Sequence, residues 1–473
     1  MKLSQTILTL TGSIALSAAM ATETIITDPT NTTGGVTFNV AAGDTLVYSG
    51  KITGSGLLKK IGAGTLKLNN PENDFTGGIS VLTGYLESAA SGCLGSGQVT
   101  VNNKDSGGLI FSAAGGVFDN EIVKNSQSGD FLDFRADTTL RGLVRTSGCT
   151  MYLLASEGVK VVFKGNVNLG LKPLYFRDMR GTLVFEGKTM SSGNGGVQMQ
   201  NTTGNEGGKV IYCNSESTMG VLQIGHLAHV CSNENVFTEA VIKPRKDNDK
   251  GSVDLNGYDQ CVNAIDWSGS WMKQDNMTNA LILSEAPATL TIKGTGAGKT
   301  STCNCLIDGR IALVIDADPT YTNQFATRCN LTEGDIHIKS GVFDLYGTGS
   351  RFPNVPKITV GSGGTLVSRS KYNSPVFGAV TNLTMASGAS LEIQNDADNR
   401  HRCPFAQRQL DLDIAADSAL YLQNDVSITV KTFRVSGVYQ HKGIYTNAKC
   451  AAIKSGTVVA LDGPPRGMTI IVK

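Results

Sequence analysis

Aspartates spaced two residues apart are the side chains in this sequence that could most directly do chemistry. On a β-strand such a pair shares one face, where it could supply the acid and base of glycan cleavage. The candidates are a cluster of Asp130, Asp133 and Asp137 in DFLDFRAD, whose members are three and four residues apart, and two pairs at the two-residue spacing, Asp316 and Asp318 in IDADP and Asp411 and Asp413 in LDLD. This spacing is common in strands, and no polysaccharide lyase or hydrolase motif accompanies it. A polysaccharide-cleaving enzyme is therefore the alternative interpretation.

Histidines and a cysteine form the densest cluster of potential metal ligands, in the segment HLAHVC. On a strand, His226 and His229 would point to opposite faces, and no glutamate lies between them as in the HExxH motif. Incidental histidines in a turn explain His226, His229 and Cys231 better than a metal site does.

The acidic segment KDNDKGSVDLNGYD suggests calcium, with Asp247, Asp249, Asp254 and Asp259 around a glycine turn. The spacing of an EF-hand fails, because Lys250 falls where an oxygen ligand is needed and no glutamate closes the loop. The glycines of Gly62-Ala63-Gly64 open a strand rather than a phosphate-binding helix. We assign no catalytic, cofactor-binding or metal-ligating residue, and we expect no cofactor.

Two further groups have a structural and a functional interpretation. Trp267, Trp271 and Tyr258 could form a platform for sugar rings, which would make the chain a carbohydrate-binding module, or they could belong to an irregular loop. Cys303 and Cys305 would share one face of a strand about 6.5 to 7 Å apart, at or beyond the limit for a disulfide. No cysteine pairing is assigned.

The elements that would position these side chains are short strands. Alternating apolar runs recur along the chain, most of them opened by glycine, as in GTLKL, GQVTV, GTLVF, GKVIY and GVFDL. Alternation at period two indicates half-buried strands, and Gly, Asn, Asp and Ser fill the gaps as turn residues. Uneven repeats with few aromatic residues favour one β-solenoid over tandem β-sandwiches.

Composition limits the class of partner. The 473 residues include 56 glycines, with 41 basic and 40 acidic side chains and a net charge of +1. This balance gives no electrostatic reason to expect nucleic acid as a partner. The apolar fraction of 40% predicts a folded chain.

The N-terminus has the pattern of a secretory signal. Lys2 precedes an uncharged stretch from residue 3 to residue 19, and Ala19-Met20-Ala21 fits the small-x-small cleavage pattern. We expect a signal peptide at 1–21 and a secreted, extracellular or cell-surface protein with no transmembrane segment after cleavage. The remaining chain divides into a β-helical domain at 22–420 and a C-terminal β cap of the solenoid at 421–473.

One segment resembles a known family. LLKKIGAGTLKLNNPENDFTGGISVLTGYL, at 57–86, is similar to the autotransporter-associated β-strand repeat, also called the passenger-associated transport repeat, and 57–101 is the best repeat of the chain. The matched positions include Lys59, Gly62, Gly64, Thr65, Leu66, Leu68, Asn73, Phe75, Thr76, Gly77, Gly78, Val81, Gly84 and Leu86. Asn70 and Ile79 depart mildly from the pattern.

The resemblance implies an all-β, right-handed parallel β-helix (β-solenoid), secreted or at the cell surface, and the family carries no catalytic residues to transfer. We expect loop insertions around 226–250, 266–280 and 396–408. The sequence thus favours a non-enzymatic structural or adhesin-like protein that presents binding loops. Its partner would be an extracellular ligand of unknown identity, a glycan or a host surface being the candidates.

Overall fold

The computed structural model describes residues 21–102, 107–125, 131–199, 207–244, 251–266, 281–326, 329–347, 352–370, 375–394, 403–406, 408–423 and 426–463. In these ranges every regular element is a β-strand. None of the described residues forms a helix long and apolar enough to cross a membrane. The predicted signal peptide at 1–21 lies almost entirely outside the described residues.

The first part of the chain forms thirty short strands. They are β1 (Glu23–Ile26), β2 (Thr30–Asn31), β3 (Val36–Asn39), β4 (Thr45–Tyr48), β5 (Ile52–Thr53), β6 (Leu58–Ile61), β7 (Thr65–Leu68), β8 (Ile79–Val81), β9 (Gly84–Ser88), β10 (Val99–Val101), β11 (Gly107–Phe111), β12 (Gly116–Phe118), β13 (Ile122–Lys124), β14 (Phe131–Phe134), β15 (Thr138–Leu140), β16 (Val144–Thr146), β17 (Met151–Ala155), β18 (Lys160–Phe163), β19 (Val167–Gly170), β20 (Pro173–Met179), β21 (Thr182–Phe185), β22 (Thr189–Ser191), β23 (Gly196–Met199), β24 (Lys209–Tyr212), β25 (Val221–Ile224), β26 (Ala228–Cys231), β27 (Val241–Pro244), β28 (Ser252–Asp254), β29 (Gln260–Val262) and β30 (Ala264–Ile265).

The second part contains several longer strands. They are β31 (Leu281–Ile292), β32 (Thr300–Cys303), β33 (Leu306–Asp316), β34 (Thr322–Phe325), β35 (Cys329–Leu331), β36 (Ile336–Gly347), β37 (Lys357–Ser370), β38 (Asn382–Met385), β39 (Ser390–Ile393), β40 (Asp411–Ile414), β41 (Ala419–Leu422), β42 (Ser427–Val435), β43 (Val438–Tyr439), β44 (Gly443–Tyr445), β45 (Ile453–Ser455) and β46 (Thr457–Asp462).

Three long sheets run along the molecule, and successive coils of the chain add strands to them, while β2 and β5 form a separate two-stranded sheet. The first sheet has 12 strands from β1 to β30, the second has 8 from β3 to β22, and the third has 24 from β12 to β46. The strands stack in parallel, apart from the antiparallel pairs β42–β43 and β44–β46 among the described residues. This arrangement confirms the predicted β-solenoid. The domain boundaries at residues 21 and 420 stay predictions.

Strand register fixes the length of a coil. Thr45 lies opposite Thr65, and Leu109 lies opposite Leu132, so one coil takes 20 residues at the first position and 23 at the second. Each coil therefore places equivalent residues directly above those of the previous coil. A side chain's nearest neighbours are about 20 residues away in sequence, which is why short-range motifs miss them.

The segment that resembles the repeat has the predicted facing. Leu66 and Leu68 on β7 are fully buried, whereas Thr65 and Lys67 between them are partly exposed. Gly62 makes the corner before β7 with a φ of 80°, and a Cβ there would lie 2.1 Å from the carbonyl oxygen of Val40. The alternation thus sets the inside of the coil, and the glycine allows the coils to approach each other.

Aromatic rings fill the interior to a degree that the low aromatic content did not predict. Phe111 stacks on Phe134 with centroids 4.9 Å apart, and Phe163 stacks on Phe185 at 4.9 Å. Tyr212 continues the second stack at 5.8 Å from Phe185. Because coils repeat in register, a few aromatic residues align into continuous ladders.

An asparagine predicted as part of a turn also ties three coils together. Asn73 is 7% exposed, and its side chain accepts a hydrogen bond from the backbone N–H of Ile52 and donates one to the carbonyl of Cys93. The donor distances are 2.8 Å and 2.7 Å. The side chain thus pairs backbone groups that would otherwise be buried without partners at this corner.

The segments expected to bulge as loops are only partly described. In 226–250, residues 228–231 and 241–244 form β26 and β27, which stack in register on the preceding coil. The expected insertion is therefore wrong for residues 228–231 and 241–244, which keep the strand alternation, and residues 232–240 form the turn between these two strands. Residues 245–250, and most of 266–280 and 396–408, lie outside the described residues.

A lysine is buried within the best repeat, a feature that no sequence pattern indicated. Lys59 is exposed and Lys60 is fully buried, so the lysine that belongs to the interior is the second of the pair. Its Nζ donates to the carbonyls of Ile61, Gly62 and Thr83 at 2.9, 2.6 and 3.1 Å. Burial lowers the pKa of the Lys60 ammonium from 10.5 to about 8, so the group is mostly charged at neutral pH, the form that matches three acceptors.

This lowered pKa predicts a pH dependence of stability. Between pH 8 and pH 10.5 the unfolded chain holds the proton of Lys60 more tightly than the folded chain does. The free energy of unfolding should therefore rise with pH in this window, by about 3 kcal/mol from this residue. Urea unfolding at pH 7 and pH 10.5 measures it, with Lys60→Met as the comparison. Equal pH dependence in the two proteins would contradict the assignment.

Candidate functional site

Two Asp-x-Arg segments, two coils apart, form the walls of a cleft on the outer side of the first sheet. Arg135 Nε donates to Asp133 Oδ2 at 2.8 Å, and Arg180 Nε donates to Asp178 Oδ1 at 3.1 Å. The cleft has a volume of about 380 Å³. The intervening coil contributes the other lining residues, which are Leu154, Ala155, Ser156 and Glu157.

A β-bulge shapes one wall of this cleft. The register between β17 and β20 shifts between Leu153 and Ala155, so that β20 carries one residue more than its neighbour there. Asp178, within the bulge, has a φ of 52°, a conformation uncommon outside glycine. Bulges re-aim side chains, and they are frequent beside functional sites. The bulge thus alters the regular coil geometry at the wall of the cleft that contains Asp178, and it changes the direction of that charged side chain.

A row of outward-facing aromatic residues borders the cleft. Phe131, Tyr152 and Tyr175 lie opposite one another in register on β14, β17 and β20, and all three are partly exposed. The rings of Tyr152 and Tyr175 are 5.5 Å apart at 30°, and Tyr85 reaches Phe131 at 5.8 Å across Gly108. The same three strands thus present an aromatic row beside a charged cleft.

The sequence indicated only part of this face. Asp133 was a candidate carboxylate, and the structure brings it together with Arg135, Glu157, Asp178 and Arg180. Charged side chains of three successive coils thus converge on one cleft here. The Asp-x-Arg repeat itself was visible in the sequence, but only the coil register shows that its two copies face the same cleft. Asp130 lies outside the described residues.

The other candidate aspartates hold coils together, and the expectation that Asp316 and Asp318 share one strand face is wrong, because β33 ends at Asp316. Asp316 accepts hydrogen bonds from Lys293 at 2.6 Å and Ser340 at 3.3 Å, and the Lys293 contact holds the pKa of Asp316 below its usual value. A carboxylate so stabilised is a poor general acid. The remaining members make similar single contacts across coils: Asp137 with the N–H of Lys160, Asp318 with the N–H of Gly296, Asp411 with the hydroxyl of Thr432, and Asp413 with the N–H of Gly437.

The histidine cluster is split between the inside and the surface. His229 is fully buried, stacks on Tyr212 and lies 3.0 Å from its hydroxyl through Nδ1. Burial lowers the pKa of His229 to about 4, so the ring is neutral. Cys231 is also buried, and His226 lies before the strand at the partly exposed surface. The three side chains serve the core and the turn, not a common ligand.

The acidic segment is also used within the fold where it is described. Asp254 accepts a hydrogen bond from the N–H of Asn256 at 2.8 Å, and Asp259 accepts one from the N–H of Thr289 at 2.6 Å. Asp247 and Asp249 lie outside the described residues. Across the described ranges, no group of three or more His, Cys, Asp or Glu side chains is arranged to hold a metal ion.

The structure describes only part of the predicted aromatic platform. Trp267 and Trp271 lie outside the described residues, and Tyr258 packs against the core.

Strand β32 ends at Cys303, so Cys305 follows after a bend, and their sulfur atoms lie 3.8 Å apart as free thiols. The expectation that both lie on one strand is wrong, since the chain turns between them.

A buried ion pair that no motif indicated lies on the outer side of the third sheet. The side chain of Asp344 is 1% exposed and receives two hydrogen bonds from Arg369 on the next coil, one of them from Nε at 3.0 Å. Gln324, one coil earlier, donates to the same carboxylate at 3.3 Å. The Arg369 guanidinium also lies 5.2 Å from the ring centre of Tyr346. This group joins three coils and is a structural element.

Comparison with known proteins gives one partial relationship. The chain is 31% identical over 148 residues to the Adhesin BmaC autotransporter of Brucella suis biovar 1 (strain 1330). The match covers 31% of this chain and 4% of that much longer protein. No family model matches the chain, and no solved structure matches it. A β-solenoid with partial similarity to an autotransporter adhesin supports an autotransporter-like passenger, and the specific repeat family stays a hypothesis.

Proposed function

We propose that the chain is a secreted or cell-surface adhesin-like protein whose solenoid presents a binding face without cleaving its ligand. The observation that carries the proposal is the partial similarity to an autotransporter adhesin in a chain whose coils stack as a β-solenoid. Most charged side chains on the candidate strands are used between coils, which is the arrangement of a scaffold. The face formed by β14, β17 and β20 differs, because its aspartates pair with arginines of their own segment and not with described residues of another coil.

Surface location and attachment test this proposal together. An antibody to residues 22–463 should label intact cells of the native organism or its culture medium, and deletion of the gene should reduce attachment of cells to the surfaces they colonise. Reintroducing the chain should restore attachment. Labelling only after permeabilisation, or unchanged attachment of the deletion strain, would reject the proposal.

A polysaccharide-cleaving enzyme is the second candidate, and one observation favours it. The cleft gathers three carboxylates, those of Asp133, Glu157 and Asp178, beside two guanidinium groups. Against it, two of these carboxylates already accept a hydrogen bond from the arginine two residues later, Asp133 from Arg135 and Asp178 from Arg180. Binding therefore accounts for the cleft better than cleavage does.

A further inference from the structure

We propose that the outer face of β14, β17 and β20 binds a neutral polysaccharide, with the aromatic row contacting sugar rings and the adjoining cleft contacting their hydroxyl groups. This inference rests on the proposed adhesin-like function and names its ligand class. Sugars combine an apolar C–H surface with a rim of hydroxyl groups. The face combines an aromatic row and a polar cleft in the same way.

The aromatic row supplies the apolar half of the site. Phe131, Tyr152 and Tyr175 follow one another along the solenoid at the spacing of adjacent strands, about 4.8 Å. Aromatic side chains with one apolar side and one polar tip are enriched where a ligand or partner is bound. The rings are partly exposed in a folded chain whose other large aromatic residues mostly fill the core, so they form a partly exposed aromatic strip.

The cleft supplies the polar half. Each arginine is about half exposed, 53% for Arg135 and 50% for Arg180, and each is held in place by the aspartate two residues earlier. Planar guanidinium and carboxylate groups fixed in this way can donate to and accept from neighbouring hydroxyl groups of one sugar. The volume of about 380 Å³ falls within the range of small-ligand sites.

The charge balance favours a neutral glycan over an acidic one. Among the described residues that line the cleft, each guanidinium is paired with its own aspartate, and Glu157 carries the excess charge. An anionic polymer would therefore meet one negative charge and two already neutralised arginines. Electrostatic attraction gives such a polymer no advantage.

Affinity electrophoresis of the mature chain tests the inference. Mixed-linkage β-glucan, galactomannan and dextran are cast separately into native gels, with alginate and heparin as acidic probes. At least one neutral polysaccharide should retard the protein. The double variant Tyr152→Ala with Tyr175→Ala should weaken retardation at least about tenfold. The single variant Glu157→Gln should also weaken it.

Tyr421→Ala is the matched control, because Tyr421 is 46% exposed on the third sheet, away from this face. Glu157→Gln changes an exposed turn residue, so its effect does not depend on whether the tyrosine double variant folds. No retardation by any neutral polysaccharide, retardation by the acidic polymers alone, or undiminished retardation of both face variants would overturn the inference.

The two proposals fail separately. If the deletion strain loses attachment while no neutral glycan retards the protein, the adhesin-like role stands and the ligand class is wrong. If a neutral glycan binds this face but attachment and surface labelling are absent, the binding site stands and the adhesin-like role is wrong.

Discussion

Replacing Leu66 by aspartate is expected to unfold the coils around it, with a loss of at least about 5 kcal/mol in local stability. Leu66 is fully buried and lies in register between Leu46 and Leu86 of the neighbouring coils. The change removes a packed side chain and places a carboxylate where no partner is available. In a solenoid each coil contacts mainly its neighbours, so the damage should be local.

Limited proteolysis followed by mass spectrometry measures this effect, and new cleavage sites should appear within about residues 45 to 88, the three coils concerned. Lys67→Gln is the control, since Lys67 faces outward and its ion pair with Glu87 is partly exposed. An aspartate at position 67 would not be a neutral control, because it would face the carboxylate of Glu87 at the other end of that pair. Equal cleavage of the two variants would show that the facing assignment is wrong.

Removal of Arg369 should have the second large effect. Arg369→Ala leaves the buried carboxylate of Asp344 with only the amide of Gln324 as a described partner. Removing one partner of a buried ion pair costs about 3 to 5 kcal/mol. Urea unfolding should show this loss, and the double variant Asp344→Leu with Arg369→Leu should recover most of it.

Arg310→Ala provides a matched comparison on the same sheet. Arg310 donates to Glu333 at 2.6 Å, but both side chains are exposed, at 41% and 60%. Exposed pairs of this kind contribute about 0 to 1 kcal/mol. If Arg310→Ala and Arg369→Ala lower stability equally, burial of Asp344 is not what makes its ion pair important.

The strands were predictable because their signal is local. Leu66 and Leu68 alternate with Thr65 and Lys67, and period-two alternation specifies an inside and an outside without knowledge of the neighbouring coil. The same reasoning did not identify Lys60 as an interior residue, although Lys60 lies within β6, because an interior lysine is tolerable only where the fold supplies the carbonyls of Ile61, Gly62 and Thr83.

The candidate site was less predictable because it depends on register between coils. Asp133 and Asp178 are separated by two coils, and a bulge in β20 shifts their alignment. The pair Asp316 and Asp318 looked equivalent in sequence, but the partners that occupy these carboxylates come from residues 293, 296 and 340. A two-residue spacing therefore does not ensure a shared strand face, since Asp318 lies beyond the end of β33, and it says little about what such a face does.

The central claim is that the β14–β17–β20 face binds a glycan and does not cleave it. Measuring retention and chain cleavage in one experiment tests this claim most directly. The purified chain is incubated with the neutral polysaccharide that retards it most, and with pectin and alginate, and free reducing ends and unsaturated products are quantified. The account predicts retention of the neutral polysaccharide with no new chain ends. A rise in chain ends with any of the polymers that Asp133→Asn or Glu157→Gln abolishes would contradict it and identify the cleft as an active site.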